Sequence, residues 1–305
     1  MSEDYTTAVL IPAYNEEATI ETVVASFRES LGDAEIYVFD NNSSDNTVEL
    51  ARKAGAIVRR EPYQGKGNVV RRMFADISSD VYVLVDADAT YDATAAPAMI
   101  SLLQEDSLDM VVGARVSDSQ HAFPPGHRFG NRMLNLVVRM LFGRQFEDML
   151  SGYRVFSRRF VKSFPVQSSG FEIETELTVH ALEMRMATAE YRTDYFDRPT
   201  GSESKLSTYS DGLRILRTIF TLFKTNHPLR LFGVMSILSA FISIGIFLPV
   251  LWEFMQTGEV PRIPTVILSA SLMIMAVLLF AVGLILQNVS RFQREMKRLF
   301  YLNTR

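Results

Sequence analysis

The chain has 305 residues, no cysteine and a formal net charge of −4. The absence of cysteine excludes disulfides, thiolate zinc sites and cysteine nucleophiles, and so small a net charge gives no reason to expect general binding of polyanions such as nucleic acid. The length is enough for one sizeable domain with additional elements. The amino terminus has no basic region ahead of an apolar core, so we expect no cleavable signal peptide.

The first part of the chain alternates strand and helix signals. Short apolar runs predict strands at TAVLIP (Thr7–Pro12), EIYVFD (Glu35–Asp40), AIVRR, DVYVLVD and DMVVGAR. Apolar residues at helical spacing predict helices near 16–31, 43–55, 66–78 and 93–105. This alternation is typical of an α/β domain with a mostly parallel sheet covered on both faces. Ligands bind such sheets beyond the carboxyl ends of the strands.

One of these strands, in the stretch VLVDADATYD, leads directly into two carboxylates, Asp86 and Asp88. Because side chains alternate along a strand, the two are expected to point the same way, where their like charges repel. A divalent cation is the obvious group to offset that repulsion. We therefore predict that Asp86 and Asp88 form a metal-binding pair. Asp40 also ends a strand, so we expect it on the same rim of the sheet.

Polar residues follow the first two strands. Tyr14 is placed to stack on a base, and Asp40 to accept a hydrogen bond from a base or ribose, although Asn and Ser after strands are also common turn and cap residues. The stretch YQGKGNVVRR adds glycines that allow close backbone approach, a lysine, and the start of a helix whose N-terminus favours anions. Its spacing is not that of a P-loop.

After Arg115 the pattern loosens into a loop and two amphipathic helices. The first, near 129–140, has a basic face that includes Arg132. The second, near 210–225, has an apolar stripe consisting of Leu213, Leu216, Phe220 and Phe223. Beside a membrane span such helices lie in the interface. The alternative for both is ordinary packing against the domain core.

Two long uncharged segments, 231–252 and 263–288, follow near the carboxyl terminus. As a helix the first would be roughly 33 Å long, enough to cross a hydrocarbon core of about 30 Å. They predict a transmembrane hairpin; the alternative is a pair of buried soluble helices, which normally show a polar stripe. Basic residues flank the hairpin on both sides, whereas the connecting loop has only one, Arg262. The flanking residues are Arg214, Arg217, Lys224 and Arg230 before the hairpin and Arg291, Arg294, Lys297, Arg298 and Arg305 after it. The positive-inside rule then places both termini and the first domain in the cytoplasm.

Taken together, the motifs resemble family 2 glycosyltransferases with the GT-A fold. VLIPAYNEEATI, VFDNNSSDNT, GKGNVVR and VLVDADAT stand in the family's order and rough spacing. The later segments VVGAR, GNRMLN, DMLSGYRVFSR, GFEIETEL and RPTGSESKL resemble its polyprenyl-phosphate branch, which includes dolichol-phosphate mannose synthase and bacterial undecaprenyl-phosphate glucosyltransferases. The resemblance spans about Thr6 to Leu206 and implies a Rossmann-like GT-A domain.

The resemblance also implies a donor site. Asp88 would bind Mg²⁺ or Mn²⁺ bridging the donor diphosphate, and Asp86 would contact the ribose or share the metal. Thr90 stands where some relatives have a third ligand. The donor nucleotide would be held by the strand-end motifs, at Pro12, Tyr14, Asn15, Glu16, Asp40, Lys66, Asp86, Ala87 and Asp88. Arg198 and Lys205 match positions that grip the diphosphate.

The acceptor implied by this branch is a polyprenyl phosphate. It carries close to two negative charges at pH 7, so it is already a nucleophile and needs cations that hold it beside the donor. Arg115 and Arg132 match the positions that contact the lipid phosphate. Asp148 is a further catalytic candidate: it would act as a base, as in relatives with sugar acceptors, or orient Arg154 or the sugar.

We therefore predict a GT-A domain over 1–208, an interfacial helix over 209–228, a transmembrane hairpin over 229–290 and a tail over 291–305. The predicted reaction moves a hexose, with inversion, from a nucleotide diphosphate sugar to polyprenyl or dolichyl phosphate. UDP-glucose is favoured as donor, with GDP-mannose second. The rivals are a membrane-bound transferase with a glycan acceptor and a non-catalytic nucleotide-sugar-binding scaffold. The paired spans are compatible with a homo-oligomer.

Overall fold

The computed structural model of the chain describes residues 5–116, 146–199 and 208–304. The chain divides into two compact units: one extends to Ile219 and also takes in the residues from Lys297 onward, and the other is Phe220–Met296. The predicted amphipathic helix near 129–140 lies outside the described residues, as do Arg132 and Lys205.

A twisted sheet forms the centre of the first unit. In the part of the chain that the structure describes, its strands are β1 (Thr7–Ala13), β2 (Glu35–Asp40), β3 (Ile57–Arg60), β4 (Val81–Leu84), β5 (Met110–Val116), β6 (Arg154–Ser157) and β7 (Thr188–Asp194). They lie in the order β3-β2-β1-β4-β6-β5-β7. Only β6 runs antiparallel to its neighbours among these strands. The predicted α/β fold with a mostly parallel sheet is confirmed.

Helices cover both faces of this sheet. They are α1 (Ile20–Ser30), α2 (Thr47–Lys53), α3 (Lys66–Asp76), α4 (Ala96–Glu105), α5 (Arg158–Ser163) and α6 (Ile173–Met184). Strand β1 shows why its apolar run is continuous: Leu10 belongs to one buried cluster with Met73 of α3, and Ile11 to another with Phe27 of α1. Both faces of a strand must be apolar when both are buried.

Two strands were missed by the sequence analysis. Strand β7 is polar and only partly buried along most of its length, so it has no apolar run. Strand β6 has only four residues and begins with Arg154, a charged residue that is nevertheless completely buried. The Arg154 guanidinium donates to the carbonyls of Met149 and Ser151 at 2.5 and 3.0 Å and to the hydroxyl of Thr178 at 3.0 Å. Thr178 lies 24 residues further along the chain, so the partner that lets a charged residue be buried in a strand could not be identified from the local pattern.

The glycines of YQGKGNVVRR serve a packing role that differs from the expected one. At the start of α3, the Gly67 and Asn68 amides donate to the Ser169 carbonyl at 3.1 and 3.4 Å. Gly65 has a φ of +124°. A Cβ on Gly67 would lie 2.2 Å from the Ser168 carbonyl oxygen. The close backbone approach is therefore to the chain's own segment, and these two amides are not available to an anion.

We expect Gly67→Ala to destabilise the protein by about 1–3 kcal/mol, the usual cost of overpacking a tight site. Because the clash is with backbone, it cannot be relieved by a rotamer change. Thermal unfolding in detergent measures the effect, with Gly32→Ala as the matched control, since nothing lies within 4 Å of a Cβ there. Equal unfolding midpoints for the two variants would contradict the packing role.

The chain then enters α7 (Thr208–Asn226), as predicted, and continues into α8 (Pro228–Thr257) and α9 (Ile263–Asn303). By length and composition α8 and α9 could each cross a membrane, and only 11% and 17% of their most apolar windows are buried. A core helix of a soluble protein would be mostly buried. The Ser236, Ser239 and Ser243 hydroxyls of α8 donate to α9 carbonyls at 2.7–2.9 Å, the kind of bond that joins helices in an apolar environment.

Candidate active site

A cavity of about 360 Å³ opens beyond the carboxyl ends of the strands in the first unit. This is where open α/β sheets bind ligands. The predicted residues that line it are Pro12, Tyr14, Glu16, Lys66, Asp86, Ala87, Asp88, Arg115 and Arg198. The lining does not include Asn15, Asp40 or Asp148.

The two carboxylates of the acidic pair both face this cavity, although not as strand residues. Strand β4 ends at Leu84, and the loop after it turns at Ala89, which has a φ of +57°. Asp88 accepts hydrogen bonds from the Thr90 hydroxyl at 2.6 Å and from Arg198 Nη2 at 2.5 Å. Burial and the negative charge of Asp86 raise the pKa of Asp88. The positive charge of Arg198 is therefore not enough to offset the effects of burial and of Asp86 on the Asp88 carboxylate.

A second group of paired charged side chains lies beside Asp88 and Arg198. The Lys66 ammonium contacts Asp86 and is 2.5 Å from Glu174 Oε1 of α6. Burial on its own would lower the pKa of Lys66, but the charges of Asp86 and Glu174 outweigh it and the pKa is raised. Lys66 is thus a fixed cation between two carboxylates, and it holds Asp86 in the cavity.

Glu174 is one of three alternating glutamates in GFEIETEL, with Glu172 and Glu176, and the sequence analysis assigned none of them to the site. Of the three, only Glu174 lines the cavity. Glu176 accepts from the Gln167 and Ser168 amides at 2.9 and 2.8 Å. Glu172 accepts from the Gly170 amide at 3.2 Å. The helix starts at Ile173, and residues two apart on a helix point in different directions, so the three carboxylates contact different partners.

Arg115 and Asp148 form a bidentate pair at the cavity wall. Arg115 Nε and Nη2 donate to the two Asp148 oxygens at 2.7 and 2.8 Å. The Glu190 carboxylate of β7 fixes the Asp148 amide at 3.0 Å. Burial would raise the pKa of Asp148, but the charge and hydrogen bonds of Arg115 lower it. A carboxylate with a lowered pKa is a weak base, and its partner is Arg115, not Arg154 as one interpretation of the sequence had it.

The remaining rim residues build the loops around the cavity. The Asn41 side chain is fully used: it donates to the Glu61 and Tyr63 carbonyls and accepts from the Gly65 amide. Asp40 is buried and accepts from the Ser43 amide at 3.1 Å. Asn15 has a φ of +52°, and its side chain accepts from the Ser44 amide at 2.8 Å. Asn15 and Asp40 therefore shape the rim behind Tyr14.

Arg214 of α7 also lines the cavity. The sequence analysis had used it only as one of the basic residues that flank the hairpin. Its place on an amphipathic helix did not indicate a site, because the sequence does not show which part of the domain each side of that helix contacts.

The acidic pair fits a metal ion that is shared with a substrate. Among the described residues, no group of three or more His, Asp or Glu side chains is arranged to hold a metal by itself. Mg²⁺ is usually bound by one or two carboxylates together with substrate phosphates. Asp86 and Asp88 place such carboxylate oxygens in one cavity. The raised pKa of Asp88 means that its charged form is disfavoured there, and a bound cation would stabilise that form.

Comparisons with known proteins agree with this geometry. The sequence model of the family described as Glycosyl transferase family 2 matches residues 8–164. The chain is 35% identical to Glycosyltransferase AglJ of Haloferax volcanii, over 95% of this chain and 96% of that protein. It is 30% identical to the Dolichyl-phosphate hexose transferase of the same organism, over 70% of this chain and 91% of that one.

A solved structure shares the fold. The chain resembles glucosyl-3-phosphoglycerate synthase from Mycobacterium tuberculosis, crystallised with Mn²⁺, UDP-glucose and phosphoglyceric acid, with a TM-score of 0.60 and 23% identity. The likeness covers 72% of this chain and 80% of that one. The predicted GT-A fold and the resemblance to the polyprenyl-phosphate branch are confirmed, and the chain is a glycosyltransferase that belongs to glycosyl transferase family 2.

Proposed function

We propose that this glycosyltransferase moves a hexose from a nucleotide diphosphate sugar to a polyprenyl phosphate at a membrane surface. The observation that carries the proposal is the convergence of Asp86, Asp88, Arg115 and Arg198 on one cavity. Carboxylates suit a metal bound to a diphosphate, and arginines suit phosphates through their planar fork. The relative named for hexose transfer to dolichyl phosphate supports the acceptor.

The donor is proposed to be UDP-glucose first and GDP-mannose second. The M. tuberculosis neighbour, which binds UDP-glucose with Mn²⁺, supports this order. Asp86 and Asp88 would hold Mg²⁺ or Mn²⁺, which would supply positive charge to offset the charge that develops on the departing nucleoside diphosphate. Tyr14, which is exposed at the cavity rim, would stack on the base.

The chain's own residues would position the two reactants. Arg198 and, outside the described residues, Lys205 would hold the donor diphosphate, and Arg115 and Arg132 the acceptor phosphate. An acceptor phosphate oxygen attacks the anomeric carbon as the bond to the diphosphate breaks, through an oxocarbenium-like transition state with inversion. No proton needs to be removed, because the acceptor phosphate is already ionised. Asp148 would then act by orienting Arg115.

The second unit is proposed to anchor the enzyme. α8 and α9 would form the two-span hairpin, with α7 in the interface and both termini in the cytoplasm. A lipid phosphate lies at the bilayer surface, so an anchored domain meets its acceptor at a fixed depth. The product would keep its sugar on the cytoplasmic face until other enzymes use it.

A panel of nucleotide sugars with a short polyprenyl phosphate tests the proposal, scored by labelled sugar that becomes extractable into organic solvent. We expect transfer that requires Mg²⁺ or Mn²⁺ and is strongest with UDP-glucose. Label appearing only in a water-soluble glycan would favour the rival acceptor. Donor binding without any turnover would favour the scaffold, and full activity after exhaustive chelation would rule out the metal role of Asp86 and Asp88.

A further inference from the structure

We propose that Arg214 binds a phosphate group of a substrate in the catalytic cavity, so that α7 contributes directly to the active site. The inference rests on the proposed function, since it needs phosphorylated substrates in that cavity. It goes beyond the motif residues, because Arg214 lies after the last of them in the sequence.

The position of Arg214 is the first support. It lines the same cavity as Lys66, Asp88 and Arg198. Its Nη1 lies 3.3 Å from where a Cβ on Gly170 would be, and Gly170 also lines the cavity. The guanidinium thus lies against the segment that packs on the start of α3. Arg214 is exposed, so a ligand that enters the cavity can reach it.

The anchoring of α7 is the second support. Ile215 and Ile219 are buried in the same apolar cluster as Leu177 of α6. Residues four apart lie on one helix face, so these two isoleucines fix the helix on the domain. Leu213, in contrast, is 70% exposed. Leu216 of the predicted stripe also packs against this cluster. The packed face of α7 is therefore centred on Ile215 and Ile219 and includes only part of the stripe that the sequence predicted.

The charges of the cavity are the third support. Its lining holds four cations and four carboxylates among the described residues: Lys66, Arg115, Arg198 and Arg214, against Glu16, Asp86, Asp88 and Glu174. Lys66 and Arg198 are held by carboxylates of this set, and Arg115 by Asp148. The cations and carboxylates of the lining balance, so each cation contributes to holding a phosphate that brings close to two negative charges. The guanidinium of Arg214 adds a phosphate-binding group that comes from α7.

The phosphate has two possible sources, the donor diphosphate and the acceptor phosphate, which share their chemistry. The test compares the full-length Arg214→Ala enzyme with Arg217→Ala in detergent. Arg217 is also exposed on α7 but does not line the cavity, so the pair separates a site effect from the general charge of the helix. Thermal unfolding checks that both variants are folded.

We expect Arg214→Ala to lower kcat/KM for lipid transfer by about tenfold, the effect of losing one charge-assisted hydrogen bond to phosphate. Arg217→Ala should stay within about twofold of wild type, on the scale of a surface charge. Arg214→Lys should recover part of the loss, because it restores charge without the fork.

Two arms identify the source of the phosphate. A higher Kd for UDP in the presence of Mn²⁺ assigns Arg214 to the donor, and a higher KM for the polyprenyl phosphate alone assigns it to the acceptor. Equal activities of the Arg214→Ala and Arg217→Ala variants would overturn the inference while leaving the proposed function intact. A wild-type enzyme that transfers no sugar to lipid phosphate would instead overturn the proposed function. Should Arg214→Ala fail to fold, Arg214→Gln is measured in the same way.

Discussion

Asp88→Asn is expected to lower sugar transfer by roughly 10²–10³-fold, the cost of removing one principal electrostatic stabiliser from an active site. The change removes a proposed metal ligand and the partner of Arg198, but keeps the shape of the side chain. Since burial and Asp86 already raise the pKa of Asp88, the folded state gains little from this charge. The unfolding midpoint should therefore be unchanged or higher.

Asp76→Asn is the matched control for this variant. Asp76 lies at the end of α3 and pairs with Arg72, whose side chain is half exposed. Surface pairs of this kind contribute little, and Asp76 does not line the cavity. Wild-type transfer by Asp88→Asn at saturating Mn²⁺ would show that Asp88 is not a ligand, and the metal would then have to be sought elsewhere.

Asp148→Ala is expected to destabilise the protein by about 3 kcal/mol at neutral pH, because it leaves Arg115, whose side chain is only 13% exposed, without its carboxylate. The sign of the pH dependence follows from the pKa of Asp148, which is lower in the folded protein than its ordinary value. The pair stabilises the fold above about pH 4 and this contribution is lost as the pH falls through the lowered pKa. The stability gap between wild type and variant should therefore narrow in acid.

The double variant Arg115→Met with Asp148→Leu separates folding from function. Replacing a buried ion pair by apolar residues is often neutral for stability, so the double variant should regain most of the unfolding midpoint. Its transfer activity should stay low, because Arg115 is the proposed phosphate ligand. Recovery of activity together with stability would show that the pair serves the fold alone.

The sequence by itself was sufficient for the features that depend on local pattern. The five strands from Thr7 to Val116 were predicted from their apolar runs, which are continuous where a parallel strand is buried on both faces; β3, which is mostly exposed, has the shortest run. The acidic pair was recognised from its place after such a run, and α8 and α9 from their length without charge. These signals are local, since hydrophobic periodicity and the placing of residues at a strand end need no knowledge of distant segments.

Only the tertiary structure decided which groups meet. Lys66 and Glu174 are 108 residues apart, yet they form one buried bridge to Asp86. The same holds for Arg115 with Asp148, and for Arg214 at the cavity mouth. Buried charges require partners wherever the fold supplies them, and such pairing is set by how helices and loops pack. No spacing along the chain could therefore have shown it.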